Sequence, residues 1–287
     1  MSPTIASLCR YPIKSCGGIE EHEVPLTEFG LEYDREWMLV GQNNQFLSQR
    51  VHPELALVAT KIEGDKLLVT APRVGELAIA LERDPGAATE PVEVWKKPGT
   101  ATSAGLEAAE FFSTYLGRAA RLLRIAGPRQ VKPECQVTGA SSRTAFADGF
   151  PLLIASLSSL AELNRHLAEP IGIDRFRANV IIDGAPAYDE DYWRGILLGR
   201  VGGFVVRACA RCPVPNVKNG ALPKVRPVTA ALRATRQGID PVGESRGEFF
   251  GQNVVHVYEP GALLRVGDAV RIMSRATHRN ILQQTQV

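Results

Sequence analysis

Short apolar runs bounded by turn residues recur along the first and last thirds of this chain. Residues 55–71 show the pattern most clearly, because two apolar runs flank Glu63-Gly64-Asp65 and together predict a β-hairpin. Further strands are predicted at residues 36–40, 75–82, 92–96, 179–182, 203–207, 254–258 and 263–272, the last with a turn at Gly267-Asp268. So many short strands favour a barrel or a sandwich.

Two segments show helical spacing instead. Leu106, Ala109, Phe112 and Leu116 recur at the helical period, with Thr102 or Ser103 as a cap and Gly117 as the end. A second helix is predicted at residues 158–167, with Ser159 and Glu162 as a capping box and Leu160, Leu163 and Leu167 on one face. The Pro-rich and Gly-rich stretch 213–247 predicts long loops and one short helix near Thr229.

The size of the chain allows two domains. Of its 287 residues, 45% are hydrophobic and 22% charged, which is typical of a folded globular protein. The Gly127-Pro128 step breaks regular structure after the first helix. We therefore predict a β-rich domain at residues 1–125, a β-barrel domain at 126–275 and a polar tail at 276–287. The fold class is mainly β, and α+β overall.

Charge and targeting signals exclude several partners. A net charge of +2 is too small to indicate nucleic acid or an anionic membrane as the main partner. The N-terminus lacks a signal-peptide pattern, and no window has the length of apolar sequence that a transmembrane helix needs. The 5 cysteines, an odd and scattered set, do not resemble a disulfide framework. We expect a cytoplasmic monomer.

Cys209 and Cys212 form the sharpest local feature. A structural zinc site needs four ligands, and no second cysteine pair or histidine pair accompanies them. A thioredoxin-like pair begins a helix, which Pro213 and Pro215 disfavour. A single thiolate, favoured electrostatically by Arg207 and Arg211, remains possible as a metal ligand or nucleophile. Two ordinary buried cysteines explain the spacing equally well.

Two further segments suit an anion. Arg175 and Arg177 alternate in a segment that leads into a strand, so both guanidinium groups would face the same side and could bind phosphate or carboxylate. Lys14 and Ser15 lie in a loop with two glycines, which can offer backbone N–H groups and an ammonium. Surface salt bridges and a simple turn between strands are the alternatives.

Five segments together resemble one known family, the MOSC-domain proteins. They occur in the family's order and cover nearly the whole chain: YPIKSCGG, YDREWMLV, RFRANVIIDG, ACARCPVPNV and FGQNVVHVYEPGALLRVGD. The branch that they resemble most is that of the mitochondrial amidoxime-reducing components and their bacterial relatives. The resemblance implies an N-terminal MOSC-associated β domain followed by a MOSC β-barrel.

The resemblance also implies a molybdenum cofactor, with Cys212 as the protein ligand of the metal. Family residues that hold the pterin and its phosphate correspond to Lys14, Ser15, Arg35, Arg177 and Asn179. Asp148, as a catalytic residue, and Arg211, as a cofactor-binding residue, correspond to positions near that site. Pyridoxal phosphate binding is a further association of the family.

The activity that the resemblance implies is the two-electron reduction of N-hydroxylated compounds such as amidoximes, hydroxylamines and N-hydroxylated bases. We find neither a membrane anchor nor the four-cysteine set of a [2Fe–2S] cluster. A separate electron-transfer protein is therefore expected, either a ferredoxin, a flavodoxin or a cytochrome b5-like protein with its reductase. The alternatives are a sulfur or cofactor carrier that uses a Cys212 persulfide, and a reductase of S-oxides or nitrogen oxyanions.

Overall fold

The computed structural model describes residues 2–242 and 245–281. Its helices are α1 (Leu106–Leu116), α2 (Leu157–Asn164) and α3 (Pro227–Arg236). Its strands are β1 (Thr4–Arg10), β2 (Ile19–Glu21), β3 (Glu23–Thr27), β4 (Gly30–Leu31), β5 (Trp37–Val40), β6 (Ala59–Glu63), β7 (Lys66–Ala71), β8 (Gly75–Ala80), β9 (Thr89–Val94), β10 (Lys97–Ser103), β11 (Arg121–Ile125), β12 (Arg129–Gln130), β13 (Arg143–Thr144), β14 (Leu152–Ser156), β15 (Val180–Asp183), β16 (Gly195–Leu198), β17 (Val201–Ala210), β18 (Gln237–Ile239), β19 (Arg246–His256), β20 (Leu263–Arg265) and β21 (Val270–Ile272). The predicted mainly β, α+β class is confirmed.

The largest sheet contains strands from both ends of the chain. Its order is β2-β1-β15-β14-β19-β17-β16-β21, with β18 also paired to β19. All its pairs are antiparallel except β14 with β15. A buried apolar cluster that includes Leu8, Ile154, Val180 and Trp193 packs against it. The sheet thereby brings the ends of β1, β15 and β17 into one neighbourhood.

The expectation of a closed barrel needs correction. No strand ladder joins β21 to β1 in the part of the chain that the structure describes. The two edges are linked by an isolated bridge between Thr4 and Ala269 and by backbone hydrogen bonds such as that from the Ile5 N–H to the Asp268 carbonyl, 2.9 Å. Strand β21 has only three residues, Val270–Ile272, and the bridge to Thr4 lies just before it at Ala269, so β1 and β21 share no continuous ladder and the sheet does not close at this seam.

The first half of the chain also forms sheets of its own. One has the order β5-β11-β10-β9, and a second has the order β6-β7-β8. Helix α1 buries Ala108, Phe111 and Phe112 in the same apolar cluster as Leu67 and Leu122. The predicted hairpin at residues 55–71 is confirmed as β6 and β7, although its first residues form a short 3-10 helix, Pro53–Leu57.

The predicted helices exist, but two of their caps do not. Gly105, rather than Thr102 or Ser103, is the N-cap of α1, whereas Gly117 ends it in the left-handed conformation as predicted. Helix α2 has no capping box, because the Ser159 hydroxyl donates to Glu190 Oε1 at 2.7 Å. Ser159 thus bonds to the distant Glu190 and not to Glu162, its predicted local partner. The short helix near Thr229 is confirmed as α3.

The division at residue 125 remains a prediction. Strands β1 and β2 lie before it in sequence, yet β1 pairs with β15, which lies after it. Residues 282–287 of the predicted polar tail lie outside the described residues. Within the described ranges, no helix combines the length and apolar character needed to cross a membrane.

Candidate functional site

One cavity contains all eight residues that the family resemblance assigns to the site. It lies where the loops after β1 and β17 and before β5 and β15 meet the β9–β10 turn. The eight predicted residues all line it: Lys14, Ser15, Arg35, Asp148, Arg177, Asn179, Arg211 and Cys212. The loops that carry them are separated by up to about two thirds of the chain, so the fold, and not sequence proximity, assembles the cavity.

Lys14 and Asp148 form an ion pair at this cavity. The buried Lys14 ammonium also donates to the Phe146 carbonyl at 2.8 Å, and Asp148 accepts a hydrogen bond from Trp95 Nε1 at 2.9 Å. Desolvation lowers the pKa of Lys14, an effect that Asp148 opposes. Desolvation raises the pKa of Asp148, but the Lys14 charge and the two hydrogen bonds outweigh it, so this pKa lies well below its usual range.

Arg35 is held in place from two sides. Its Nη1 donates to both carboxylate oxygens of Asp34 at 2.7 and 2.6 Å, and its Nη2 donates to the Arg177 carbonyl at 2.9 Å. Burial alone would lower the pKa of Arg35, but Asp34 outweighs it and raises this pKa. Arg35 is therefore a permanent cation whose position is set before any ligand arrives.

Arg177 has no carboxylate partner among the described residues. Its Nη1 donates to the Cys16 carbonyl at 2.6 Å, and its guanidinium lies 4.2 Å from the Tyr11 ring centroid. Arg35 lies over the same ring at 4.5 Å. Burial, with the nearby Arg35 charge, lowers the pKa of Arg177. A guanidinium still stays protonated at neutral pH, so Arg177 brings an uncompensated positive charge to the cavity.

Arg211 likewise has no carboxylate partner in the part of the chain that the structure describes. Its Nη1 donates to Cys209 Sγ at 3.0 Å, and its Nη2 donates to the Phe176 carbonyl at 2.7 Å. Its Nε is buried and finds no hydrogen-bond partner among the described residues. Leaving a buried donor unpaired costs about 1–3 kcal/mol. Arg211 thus offers an open donor and a free charge in the same place.

Several lining residues have strained backbones. Ser15, Arg35, Arg177 and Trp95 adopt positive φ values of 75°, 52°, 54° and 51°. The left-handed region is unfavourable for side chains other than glycine, and such strain collects at functional sites. The clustering of four such residues in one cavity therefore supports a functional site here.

Cys209 and Cys212 are free thiols and partly exposed. Both line the cavity, at the end of β17. The register of β17 against β19 shifts between Ala208 and Ala210, which is a β-bulge of the kind often found beside active sites. No group of three or more potential metal ligands of the His, Cys, Asp or Glu type occurs in the described parts of the chain, so the zinc alternative lacks a ligand set.

Asn179 has a positioning role in this structure. Its side-chain amide donates to the Cys9 carbonyl at 3.1 Å, and its side-chain oxygen accepts from the Leu153 N–H at 3.1 Å. Both ends of the amide are therefore engaged in joining β1 and β14 beside the cavity.

The prediction that Arg175 and Arg177 alternate along an extended segment is wrong. Arg175 does not line the cavity, because residues 173–176 form a 3-10 helix. Arg207 does not line the cavity either and pairs with the buried Asp240. Of the two arginines expected to favour a thiolate, Arg211 contacts Cys209.

Sequence reasoning missed one wall of the cavity. Phe46, Arg50 and Trp95 line it together with the predicted residues. The strand prediction at residues 92–96 included Trp95, but Trp95 and Lys96 form the turn between β9 and β10. Turns with positive φ at both residues normally contain glycine or asparagine. Trp95 and Lys96 occupy this turn instead, so no turn signal appears in the sequence.

Two family models and several known proteins match this chain. Residues 2–119 match the MOSC N-terminal beta barrel domain, and residues 141–271 match the MOSC domain. The chain is 29% identical over 285 residues to mitochondrial amidoxime-reducing component 1 of Homo sapiens and 30% identical over 288 residues to that of Mus musculus. Each alignment covers 95% of this chain and 83% of the relative. The molybdenum cofactor sulfurase of Oryza sativa subsp. japonica is 29% identical over 255 residues, which cover 81% of this chain and 31% of the rice protein.

Proposed function

This chain belongs to the family of MOSC-domain proteins, and from that membership we propose that it is a molybdenum-cofactor-dependent reductase of N-hydroxylated compounds. One observation carries the proposal: Arg177 and Arg211, which have no carboxylate partner among the described residues, share one cavity with a free cysteine thiol, Lys14 and Arg35. Such a set suits an anionic cofactor that also needs a soft ligand.

The cations fit the phosphate of a molybdopterin. A phosphomonoester carries a charge of about −1.5 to −2 at neutral pH, and burying it requires several donors. Within the described ranges, Arg177 and Arg211 are held by backbone carbonyls and have no carboxylate partner, and the Arg211 Nε has no acceptor. Phosphate oxygens would supply both the missing charge and the missing acceptor.

Cys212 fits the metal, because thiolate is a soft ligand and the residue is free and partly exposed at the cavity. When bound, the cofactor supplies two-electron oxygen-transfer chemistry. The overall reaction converts N–OH, two electrons and two protons into N–H and water. The chain's contribution is to bind and orient the cofactor and the substrate at the cavity.

Asp148 and Lys14 act together as an ion pair at the cavity. The low pKa of Asp148 keeps it a carboxylate, so it acts as a hydrogen-bond acceptor that orients Lys14 and Trp95. Lys14 is the ion-pair partner of Asp148; desolvation lowers the pKa of Lys14, and Asp148 opposes this effect. A catalytic role for Asp148 is thus proposed as orientation, not as acid catalysis.

A carrier function is the second candidate. The 29% identity to a molybdenum cofactor sulfurase over 255 residues favours it specifically. In that case a Cys212 persulfide would be the working group and N-hydroxylated substrates would not turn over. A reductase of S-oxides or nitrogen oxyanions would need the same cavity and differ in the acceptor alone.

The decisive test is metal and pterin analysis of protein purified from a host that makes molybdopterin. We expect equimolar molybdenum and pterin, and reduction of benzamidoxime with an artificial electron donor. Cys212→Ser should lose most of the molybdenum or the activity, because a hydroxyl replaces a soft thiolate. Cys209→Ser is the matched control and should be far milder.

Equal behaviour of the two variants, or zinc in place of molybdenum, would overturn the ligand assignment. A loaded protein that binds molybdenum but reduces none of these substrates would favour the carrier function.

Physiological reduction should also need a ferredoxin, a flavodoxin or a cytochrome b5-like protein with its reductase. Turnover with NADH alone would contradict that expectation.

A further inference from the structure

The turn between β9 and β10 has a backbone conformation that its two residues disfavour. Val94 pairs with Lys97, so Trp95 and Lys96 alone form the two-residue loop. Their φ values are 51° and 63°, which is the geometry of a turn that normally takes Asn-Gly. A tryptophan and a lysine are unfavourable in this conformation, so tertiary contacts must hold it.

Three contacts hold the indole of Trp95. Its Nε1 donates to Asp148 Oδ1 at 2.9 Å. The Arg50 guanidinium lies 4.1 Å from a ring centroid of the indole. The Phe46 ring meets it edge-on, with centroids 4.7 Å apart and an interplanar angle of 80°. These contacts fix the ring at the cavity that Cys212 also lines.

Trp95 is the exposed member of the three tryptophans. It is 39% exposed, whereas Trp37 and Trp193 are fully buried. A rigid aromatic ring that stays accessible on a strained turn is not explained by core packing. It is well suited to stacking on a flat molecule that enters from solvent.

We propose that Trp95 is a specificity-determining residue that stacks on planar, delocalised N-hydroxylated substrates at the mouth of the cavity. This inference rests on the proposed function for the identity of the substrate. Amidoximes of aromatic amidines and N-hydroxylated bases present such a flat surface, whereas small aliphatic hydroxylamines do not. The pterin of the cofactor is also flat, but the exposed position of Trp95 favours the substrate, which exchanges with solvent, as its partner.

The kinetic test compares two substrates on the loaded enzyme with an artificial electron donor. For Trp95→Leu we expect the KM for benzamidoxime to rise about three- to tenfold, with kcat nearly unchanged, which is the range of a lost aromatic contact. The KM for N-methylhydroxylamine should rise clearly less than that for benzamidoxime, because this small molecule offers no flat surface to stack. Trp95→Phe should restore most of the benzamidoxime KM. Lys96→Gly is the matched control, because it relaxes the same turn and keeps the indole.

Binding can be followed without turnover. Benzamide, a flat and uncharged analogue without the N–OH group, should quench the fluorescence of Trp95 in the wild-type protein, because Trp95 is 39% exposed and the two other tryptophans are buried. Trp95→Phe should abolish the quenching. This measurement still tests the stacking if the protein reduces no N-hydroxylated compound, so failure of the proposed function and failure of the stacking are distinguished.

Three results would overturn the inference. Equal rises of KM for both substrates in Trp95→Leu would show a structural role for the turn. Loss of molybdenum and pterin from Trp95→Leu would show that the indole contacts the cofactor. Absence of quenching by the uncharged benzamide in the wild-type protein would show that no flat ligand stacks there.

Discussion

At the scale of single residues, the cavity owes its charge to arginines that are held by backbone carbonyls. Arg177 bonds to the Cys16 carbonyl and Arg211 to the Phe176 carbonyl. A carbonyl fixes the guanidinium without neutralising it, unlike the carboxylate that holds Arg35. The positive charge therefore remains available for a ligand, which is the condition for anion binding in a desolvated place.

Arg177→Ala should lower cofactor occupancy by about tenfold or more, because a charge-assisted hydrogen bond is worth about 1.5–3 kcal/mol. Molybdenum and pterin content of the purified variant measures this. Arg233→Ala is the control, since that side chain is 63% exposed and pairs with Glu248 away from the cavity. Full cofactor retention in a Lys14, Arg35 and Arg177 triple alanine variant would place the phosphate elsewhere.

At the scale of elements, a buried polar network joins α2, α3 and β19. Arg236 of α3 pairs with Asp191 at 2.8 Å, and Gln252 of β19 donates to Asp191 Oδ1 at 2.8 Å. Beside them, Ser159 of α2 donates to Glu190, whose Oε2 is buried and unpartnered among the described residues. Burial raises the pKa of Glu190 to about 7 and also raises that of Asp191.

The raised pKa predicts a dependence of stability on pH. The folded state binds the Glu190 proton more tightly than the unfolded chain, whose glutamate pKa is about 4.3. The free energy of unfolding should therefore fall as pH rises from about 4.3 to 7 and level off above that. Glu190→Gln keeps an oxygen for Ser159 and carries no charge, so it should flatten this trend and add about 1–3 kcal/mol at pH 8.

Chemical denaturation between pH 4.5 and pH 8 checks the Glu190 prediction. Glu110→Gln, a change at an exposed position on α1, should leave the pH dependence as it is in the wild type. Asp191 shares the environment, so part of the trend should remain in Glu190→Gln. An identical pH profile for Glu190→Gln and the wild type would contradict the prediction.

Two hairpins allow a test of turn strain in opposite directions. Lys96→Gly replaces a residue with φ of 63° and should raise the free energy of unfolding by about 0.5–1 kcal/mol. Gly64→Ala, at φ of 58° in the β6–β7 turn with open space around it, should lower it by about 1–2 kcal/mol. Urea unfolding measures both. Destabilisation by Lys96→Gly would mean that the lysine side chain contributes more than the strain costs.

At the scale of the whole molecule, the cavity joins segments from distant parts of the chain. Lys14 reaches a carbonyl 132 residues further along, and Arg177 reaches one 161 residues back. A ligand held by both groups would link these segments. Its binding free energy would then add to the stability of the entire fold.

Thermal unfolding of loaded and cofactor-free protein tests that link. Protein made in a host without molybdopterin synthesis should melt about 5–10 °C lower than loaded protein, as expected for a ligand well above its dissociation constant. Arg177→Ala, made in the host that supplies the cofactor, should lie near the cofactor-free value. Equal melting temperatures for loaded and cofactor-free protein would show that the ligand does not bridge the segments.

The sequence by itself determined the β-rich class, the β6–β7 hairpin, the three helical segments and eight of the residues that meet at the cavity. The hairpin and helices depend on residue periods and turn chemistry within a few positions, which the sequence displays directly. The eight site residues followed from the resemblance to one family.

The tertiary structure alone decided the remaining features. The partners of Asp148, the contact of Arg211 with Cys209, the displacement of Arg175 and Arg207, and the Phe46, Arg50 and Trp95 wall all depend on contacts between distant segments. Trp95 even adopts a turn that its local sequence disfavours. Local preferences are worth about 1 kcal/mol per residue, so a few long-range contacts outweigh them, and no short-range pattern records which contacts those are.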